Sequence, residues 1–224
     1  MEILDIGGRK SPYTIGLKAR ITLSDLPRLT DLQKRMDLGI DRDIEQWLQK
    51  RRSNIVRVIY DDMTKSQLPD RAFDLVLAVE VLEHVDQDRQ FLMEARRVLR
   101  PGGFFVMTTP NGDFVPNRNP DHKRHYTRDQ LKGLLGEVFE QVEIEYAIKS
   151  GLFRKMGGTG FPTRRPWLIP GIMMATMLNH YQSRDGRLAD CKDQTEELFA
   201  IAKVEKVTDA SLRQPVKTAD MEML

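Results

Sequence analysis

A near-continuous apolar run, Phe73–Val79, constrains the fold of this chain more than any other feature. A run of this kind is typical of a central parallel strand that is covered on both faces. A helical pattern follows over residues 87–99 and ends at the Pro-Gly-Gly of residues 101–103, after which residues 104–109 form a second strand pattern. This order of strand, helix and strand favours an α/β fold, with a mostly parallel sheet and helices on both faces.

The same alternation extends over much of the chain. Five further strands are predicted, over residues 2–6, 19–24, 55–60, 142–148 and 198–204. Residues 41–51 form a helical pattern with Ile44, Trp47 and Leu48 on one face. Thr127 and Gln130 have the spacing of a capping box, which predicts that a helix begins there.

Two segments depart from the alternation and set the expected boundaries. Residues 150–197 are a long insert before the last strand, in which basic residues precede an uncharged apolar stretch. We expect a lid or a substrate-binding element there. Residues 150–183 also suggest peripheral contact with a membrane, the alternative being a helix packed on the core or on a second subunit. Residues 208–224 are expected to be a loose tail, so that the core comprises residues 1–149 and 198–207.

Composition excludes several classes of protein. Lys and Arg number 35 against 33 Asp and Glu, so a net charge of +2 argues against a protein that coats nucleic acid. A mean hydropathy of −0.46 excludes a polytopic membrane protein. The single cysteine, Cys191, excludes an intramolecular disulfide scaffold. Glu2 and Asp5 interrupt the first apolar run, so we expect no signal peptide and a cytoplasmic location.

Glycines and acids follow the ends of the first three predicted strands. Gly7 and Gly8 come after the first strand, Asp25 after the second, and Asp61 and Asp62 after the third. Glycine lets the backbone approach a ligand closely, and an acid about 20 residues further on can bind a ribose diol. A carboxylate after the third strand can accept a hydrogen bond from adenine, and chemistry alone does not separate Asp61 from Asp62. The alternative is a tight turn with solvated acids. A GxGxxG sequence is missing, which disfavours a hydride-transfer enzyme.

Three sequence blocks carry a family resemblance: LPDRAFD at residues 68–74, EVLEHV at 80–85 and LRPGG at 99–103. In this order and spacing the chain resembles the class I S-adenosylmethionine-dependent methyltransferases, in the group that includes ubiquinone-pathway O-methyltransferases. The resemblance covers residues 3–149, with 198–204 as the family's last strand. It implies a Rossmann-like, seven-stranded sheet with an antiparallel last strand, and S-adenosyl-L-methionine as the cofactor.

By position, the resemblance implies seven cofactor-binding residues, namely Asp5, Gly7, Gly8, Asp25, Asp62, Met63 and Glu80. Gly7 would lie under the methionine part of the cofactor, and Asp25 would bind the ribose hydroxyls. Asp62 and the backbone of Met63 would hold adenine, and Glu80 would flank the methionine moiety and the methyl group.

The chain also departs from the family pattern. Arg9 and Ser11 stand at the second and third positions of the usual GxGxG. The stretch between the first two strands is short for the usual helix, and the chain starts at the first strand without the helix that often covers the cofactor. Either Ser11 and backbone amides replace the missing glycine contacts, or the chain is truncated at its start.

A second constellation is the Glu-x-x-Glu-His of residues 80–84 with the Asp-His-Lys of residues 121–123. It resembles metal-assisted methyltransferases, including those that methylate the 3′-terminal 2′-hydroxyl of small RNAs. The resemblance implies Glu80, Glu83, His84 and His122 as ligands of a divalent cation such as Mg²⁺. The alternative is that Glu83 and His84 only cap the helix and pack the turn. His84 and His125 are the candidate catalytic residues, with ordering of the Thr127 cap as the alternative for His125.

The resulting prediction is a methyltransferase that acts by direct displacement on an oxygen of a small-molecule, saccharide-type or lipid-linked acceptor. One rival is a binding protein of the same fold that has lost the cofactor, for which Arg9 and Ser11 argue. Another is an RNA-end 2′-O-methyltransferase, against which the near-neutral charge counts.

Overall fold

Seven strands form a single sheet in the computed structural model, which describes residues 1–35, 38–157 and 166–206. The strands are β1 (Glu2–Ile6), β2 (Arg20–Asp25), β3 (Ile55–Tyr60), β4 (Phe73–Val79), β5 (Leu99–Pro110), β6 (Gln141–Lys149) and β7 (Thr195–Lys203). Their order is β3-β2-β1-β4-β5-β7-β6. β7 is antiparallel to β5 and β6, and the other neighbouring pairs are parallel. The expected Rossmann-like α/β sheet with an antiparallel last strand is therefore confirmed.

Helices cover both faces of this sheet. They are α1 (Asp31–Arg35), α2 (Arg42–Arg51), α3 (Asp88–Val98), α4 (Arg128–Gly136), α5 (Leu152–Gly157) and α6 (Ile169–Gln182). Because successive strand residues point to opposite faces, β1 contributes to two cores. Leu4 and Ile6 join a cluster with buried residues of α3 and α4, whereas Ile3 joins a cluster with Leu48 of α2.

α3 lies within the predicted residues 87–99, and α4 begins where the capping box predicts. α3 buries Phe91, Leu92 and Ala95 in one stripe, with an acid in its first turn and arginines in its last, which suits the helix dipole. The capping box of α4 is present, since the Thr127 hydroxyl accepts from the Gln130 N–H and the Gln130 side chain accepts from the Thr127 N–H.

The start of β5 differs from the expectation of a strand at residues 104–109. β5 begins at Leu99, directly after α3, and pairs Leu99 with Phe73 and then Phe104 with Leu75. Between these two pairs β4 advances by two residues and β5 by five. Residues 100–103 therefore form a bulge in β5. Gly102 has a φ of +82°, a conformation that glycine adopts without strain.

Trp47, on the predicted apolar face of α2, is half exposed, with the Arg51 guanidinium 5.0 Å from its ring. One predicted boundary needs adjustment. The insert ends at residue 194 because β7 begins at Thr195. The expected loose tail, residues 208–224, lies outside the described residues. None of the helices in the described ranges has the length and apolar character to cross a membrane.

Candidate functional site

A cavity of about 690 Å³ opens at the carboxyl ends of β1 to β4, a size suited to a small-molecule cofactor. Five of the seven residues predicted to bind a cofactor line it: Gly7, Asp25, Asp62, Met63 and Glu80. Parallel strands bring these residues together, because each follows the end of a neighbouring strand. Arg9 and Ser11 stand in the cavity wall and leave the space open.

Gly7 needs to be glycine. Its φ is +65°, and a Cβ there would lie 2.9 Å from Cγ2 of Val81. Its N–H donates to the Ser24 carbonyl of β2 over 2.7 Å, which fixes the turn where β1 ends. The backbone at Gly7 therefore borders the cavity with no side chain between.

The other two predicted residues are Asp5 and Gly8. Within the part of the chain that the structure describes, neither residue lines the cavity. Asp5 is buried, and its carboxylate accepts from the Thr14 hydroxyl over 2.7 Å. Burial raises the pKa of Asp5 to about 6, against the lowering effects of Thr14 and Arg52. A Cβ on Gly8 would lie 2.2 Å from the Asp5 carboxyl carbon. These two residues support the loop that borders the cavity.

Asp25 and Asp62 present carboxylates to the cavity from two strand ends. Asp25 Oδ1 accepts from the Leu26 N–H over 2.8 Å. Burial raises the pKa of Asp25, and nearby basic side chains oppose the rise. Asp62 Oδ1 accepts from the N–H and the hydroxyl of Thr64, at 3.0 and 2.8 Å, and so caps the turn that buries Met63. Asp61 also lines the cavity, and its Oδ1 accepts from Gln67 N–H.

Glu80 follows β4 in a left-handed conformation, with φ +54°, that is uncommon for a residue with a Cβ. Its carboxylate accepts from the Thr108 hydroxyl over 3.1 Å. Burial, together with neighbouring Glu83 and Glu197, raises the pKa of Glu80 to about 8. The carboxyl group of Glu80, beside the cavity, therefore holds its proton to a higher pH than an ordinary glutamate does.

Two further acids lie near Glu80: Glu83, which is fully buried, and Glu197, which is partly buried. Burial raises the pKa of Glu83 to about 7; one of its oxygens accepts from Thr109, and the other has no partner among the described residues. Sequence analysis missed Glu197, which pairs with Pro110 in the β5–β7 register. Arg154 of α5 donates to Glu197 over 2.6 Å. The only signal for Glu197 was an acid near the start of the last strand.

The histidines divide between the cavity and a neighbouring turn. His84 lines the cavity, and its Nδ1 lies 3.1 Å from the Asp121 carbonyl oxygen. His125 is not part of the cavity wall in the described structure. Its ring nitrogens lie 2.8 Å from His122 Nδ1 and 2.9 Å from the Val115 oxygen. Its position therefore favours a role in ordering this turn over direct contact with a substrate.

Three of the four predicted metal ligands come together. One possible ligand atom from each of Glu83, His84 and His122 lies within 4.8 Å of the others, and Glu80 is not part of this group. Burial and the neighbouring histidines lower the pKa of His122, which favours the neutral imidazole that binds metals. The donor set of one carboxylate and two imidazoles suits a transition-metal ion better than Mg²⁺, which prefers oxygen ligands.

Comparison with known proteins agrees with this architecture. Residues 31–107 match the family described as methyltransferase domain. A probable S-adenosylmethionine-dependent methyltransferase of Mycolicibacterium smegmatis is 33% identical over 132 residues, 58% of this chain and 51% of that protein. A ubiquinone biosynthesis O-methyltransferase of Paramagnetospirillum magneticum is 47% identical over 57 residues, 25% of this chain and 23% of that protein. The chain spans about half or less of the length of such curated relatives.

Solved structures share the fold at low sequence identity. A methyltransferase from Archaeoglobus fulgidus has a TM-score of 0.55 at 18% identity, over 90% of this chain and 85% of that chain. A methyltransferase from Burkholderia thailandensis, solved with S-adenosylhomocysteine, has a TM-score of 0.53 at 15% identity, over 92% and 71%. Fold and cavity thus define a class I methyltransferase architecture. The chain is similar to S-adenosylmethionine-dependent methyltransferases, and its methyltransferase-domain match covers residues 31–107.

Proposed function

We propose that this chain binds S-adenosyl-L-methionine in the cavity and transfers its methyl group to an oxygen of a small-molecule or saccharide-type acceptor. The observation that carries the proposal is the placement of Gly7, Asp25, Asp62 and Glu80 around one cavity at the strand ends. Local geometry agrees with the fit, because Gly7 lines the cavity with backbone alone.

Each residue has a distinct role in the proposal. Asp25 accepts from the ribose hydroxyls, and Asp62 with the backbone of Met63 holds adenine. Glu80 lies beside the methionine part of the cofactor. When bound, the cofactor supplies a methyl group on a sulfonium, a good leaving group. The chain's main task is therefore to position the acceptor oxygen in line with that methyl group.

A proton must leave the acceptor hydroxyl as the C–O bond forms and the C–S bond breaks. His84 lines the cavity on the same turn as Glu80 and is the candidate to accept that proton, whereas Glu83 is fully buried beside it. Such a base supports oxygen as the methylated atom.

Calorimetry with the cofactor and with S-adenosylhomocysteine tests cofactor binding. The native protein is expected to bind both ligands, and Asp25→Asn to weaken binding at least tenfold because ribose contacts are lost. Asp193→Asn, at an exposed acid away from the cavity, is the matched control and should bind normally. Absence of binding by the native protein at millimolar ligand would overturn the proposal.

The proposal includes a divalent cation held by Glu83, His84 and His122. The short distances between the possible ligand atoms of these residues support it. Calorimetric titration with Mn²⁺ or Mg²⁺ tests this part without an activity assay. His122→Ala should abolish metal binding and leave cofactor binding intact. If the native protein binds neither cation, the cluster serves only to order the turn.

The proposal also includes a glycan-linked or lipid-linked acceptor and peripheral membrane contact through residues 150–183, supported by exposed apolar side chains on α5 and α6. A cytoplasmic location stays a prediction. Neither a binding protein without cofactor nor an RNA-end methyltransferase gains support from the comparisons, and the cavity remains open beside Arg9.

A further inference from the structure

One face of α6 is apolar and exposed to solvent. Met173, Met177 and Tyr181 are 59%, 73% and 75% exposed, and they follow one another at intervals of one helical turn. The opposite face, with Ile172 and Ala175, is buried. α6 is therefore fixed to the protein by one side and leaves a broad apolar surface uncovered on the other.

The apolar surface extends beyond α6. α5 packs against α6 and exposes Leu152 and Met156, and the turn before α6 exposes Trp167. We define the α5–α6 surface by its exposed apolar side chains: Leu152, Met156, Trp167, Leu168, Met173, Met174, Met177 and Tyr181. An aromatic side chain stands near each end of the helix, roughly 20 Å apart at 1.5 Å per residue.

The charged side chains within residues 146–184 are all basic, although Arg154 pairs with Glu196 and Glu197, and Asp185 follows Arg184. Residues 146–184 contain six Lys and Arg and no Asp or Glu, although the whole chain has 33 acids in 224 residues, or one in about seven. α6 itself contains neither acids nor Lys or Arg. Lys155 on α5 and Arg184 after α6 are exposed and flank the apolar surface.

We propose that the α5–α6 surface docks on a lipid bilayer that carries anionic headgroups. Apolar side chains bordered by basic residues are the pattern of elements that lie in the membrane interface, and Trp and Tyr favour the same depth. Basic residues add attraction to an anionic surface. A second copy of the chain is a poorer partner, because an isologous contact would bring like-charged Lys155 and Arg184 of both copies together.

This inference rests on the peripheral membrane contact in the proposed function. It deepens that function by naming the surface of the protein that binds and the charge of the lipid headgroups. α5 lies beside the acids near the cavity, because Arg154 donates to Glu197 over 2.6 Å.

Vesicle co-sedimentation tests the inference on the full chain. The probes are vesicles of phosphatidylcholine alone and of equal parts phosphatidylcholine and phosphatidylglycerol. We expect binding to the anionic vesicles that weakens as salt rises. Met173→Asp/Met177→Asp should lower the partition coefficient at least tenfold, since it places two charges on the apolar surface. Lys155→Glu/Arg184→Glu should lower binding to anionic vesicles only.

The matched control is Met93→Asp, at a half-exposed methionine of α3 away from this surface, and it should bind vesicles normally. Thermal unfolding and cofactor calorimetry on every variant show that the fold and cavity are intact. If the native protein binds neither kind of vesicle, the inference is overturned. If the same protein still binds the cofactor, the methyltransferase proposal is unaffected. The inference is also overturned if the native protein forms a dimer and binds no vesicles, and if Met173→Asp/Met177→Asp abolishes that dimer. The surface would then serve self-association.

Discussion

The hydroxyl of Thr14 donates to the carboxylate of Asp5 over 2.7 Å, and both side chains are buried. Arg52 approaches from α2 and donates to the carbonyl oxygens of Gly8 and Arg9, each over 3.1 Å. The described residues 7–19 contain no helix, so these polar contacts hold the loop where the usual helix would otherwise support it. The shape of the cavity wall therefore depends on a buried acid.

Replacing Thr14 by valine removes the donated hydrogen bond and keeps the side-chain shape. We expect the free energy of unfolding to fall by about 1–3 kcal/mol, because a buried carboxylate loses its partner. The pKa of Asp5 should rise further, since the Thr14 hydrogen bond lowers it. Urea denaturation measures the change. Thr176→Val, at an exposed threonine of α6 that bonds only its own helix, should cost far less. Equal losses in the two variants would contradict this role of Thr14.

Asp5 also predicts a pH dependence of stability. Its folded pKa of about 6 lies above the unfolded value of 3.8, so the folded state holds a proton that the unfolded state has released between these values. The free energy of unfolding should therefore fall as pH rises from about 4 to 6, by on the order of 2–3 kcal/mol from this group. Asp5→Asn should remove that part of the fall. Urea denaturation of both proteins at several pH values checks the sign, and a native stability that rises over this window would refute it.

Local patterns predicted the fold because the information lies within short stretches. The apolar run of β4 and the stripe of α3 are each complete within about a dozen residues, and the Thr127–Gln130 capping box within four. The start of β5 was missed because its bulge depends on the register with Phe73, which no local pattern encodes. The exposure of Trp47 could not be predicted, because helical spacing gives the apolar face of α2 but not the limits of that face.

The candidate site was predictable only where a strand end supplies the residue. Asp25, Asp62 and Glu80 reach one cavity because parallel strands end at one edge of the sheet. Arg52 and Glu197 were not predicted, because they contact residues 44 and 87 positions away in the chain, at Gly8 and Pro110. Contacts at such separations follow from the packed fold.

Gly8 is expected to be intolerant of a side chain. A Cβ there would lie 2.2–2.4 Å from the carboxylate atoms of Asp5, and a buried carboxylate cannot move aside freely. Gly8→Ala should thus destabilise the fold by about 1–3 kcal/mol and weaken cofactor binding. Gly133→Ala is the matched control: it has open space in α4 and should be neutral or stabilising by up to about 1 kcal/mol. Chemical denaturation and calorimetry give both values, and a Gly8→Ala protein as stable as the native one would show that the loop adjusts.

Glu80 predicts that the two cofactor forms respond differently to pH. Its pKa of about 8 means that the carboxyl group ionises between roughly pH 7 and 9. S-adenosyl-L-methionine carries a sulfonium and S-adenosylhomocysteine a neutral thioether, so only the former gains from a carboxylate nearby. The ratio of their affinities should rise about three- to tenfold in favour of S-adenosyl-L-methionine over this range.

Calorimetry at several pH values, with a chelator present, measures that ratio. Other groups that titrate, including the amino group shared by both ligands, cancel when the two affinities are divided. Glu80→Gln should leave the ratio nearly independent of pH, because the amide does not ionise. Glu197→Gln is the comparison: the nearby acid raises the pKa of Glu80, so removing its charge should shift the rise to lower pH and keep its size. A ratio that is flat in the native protein would place the sulfonium away from Glu80.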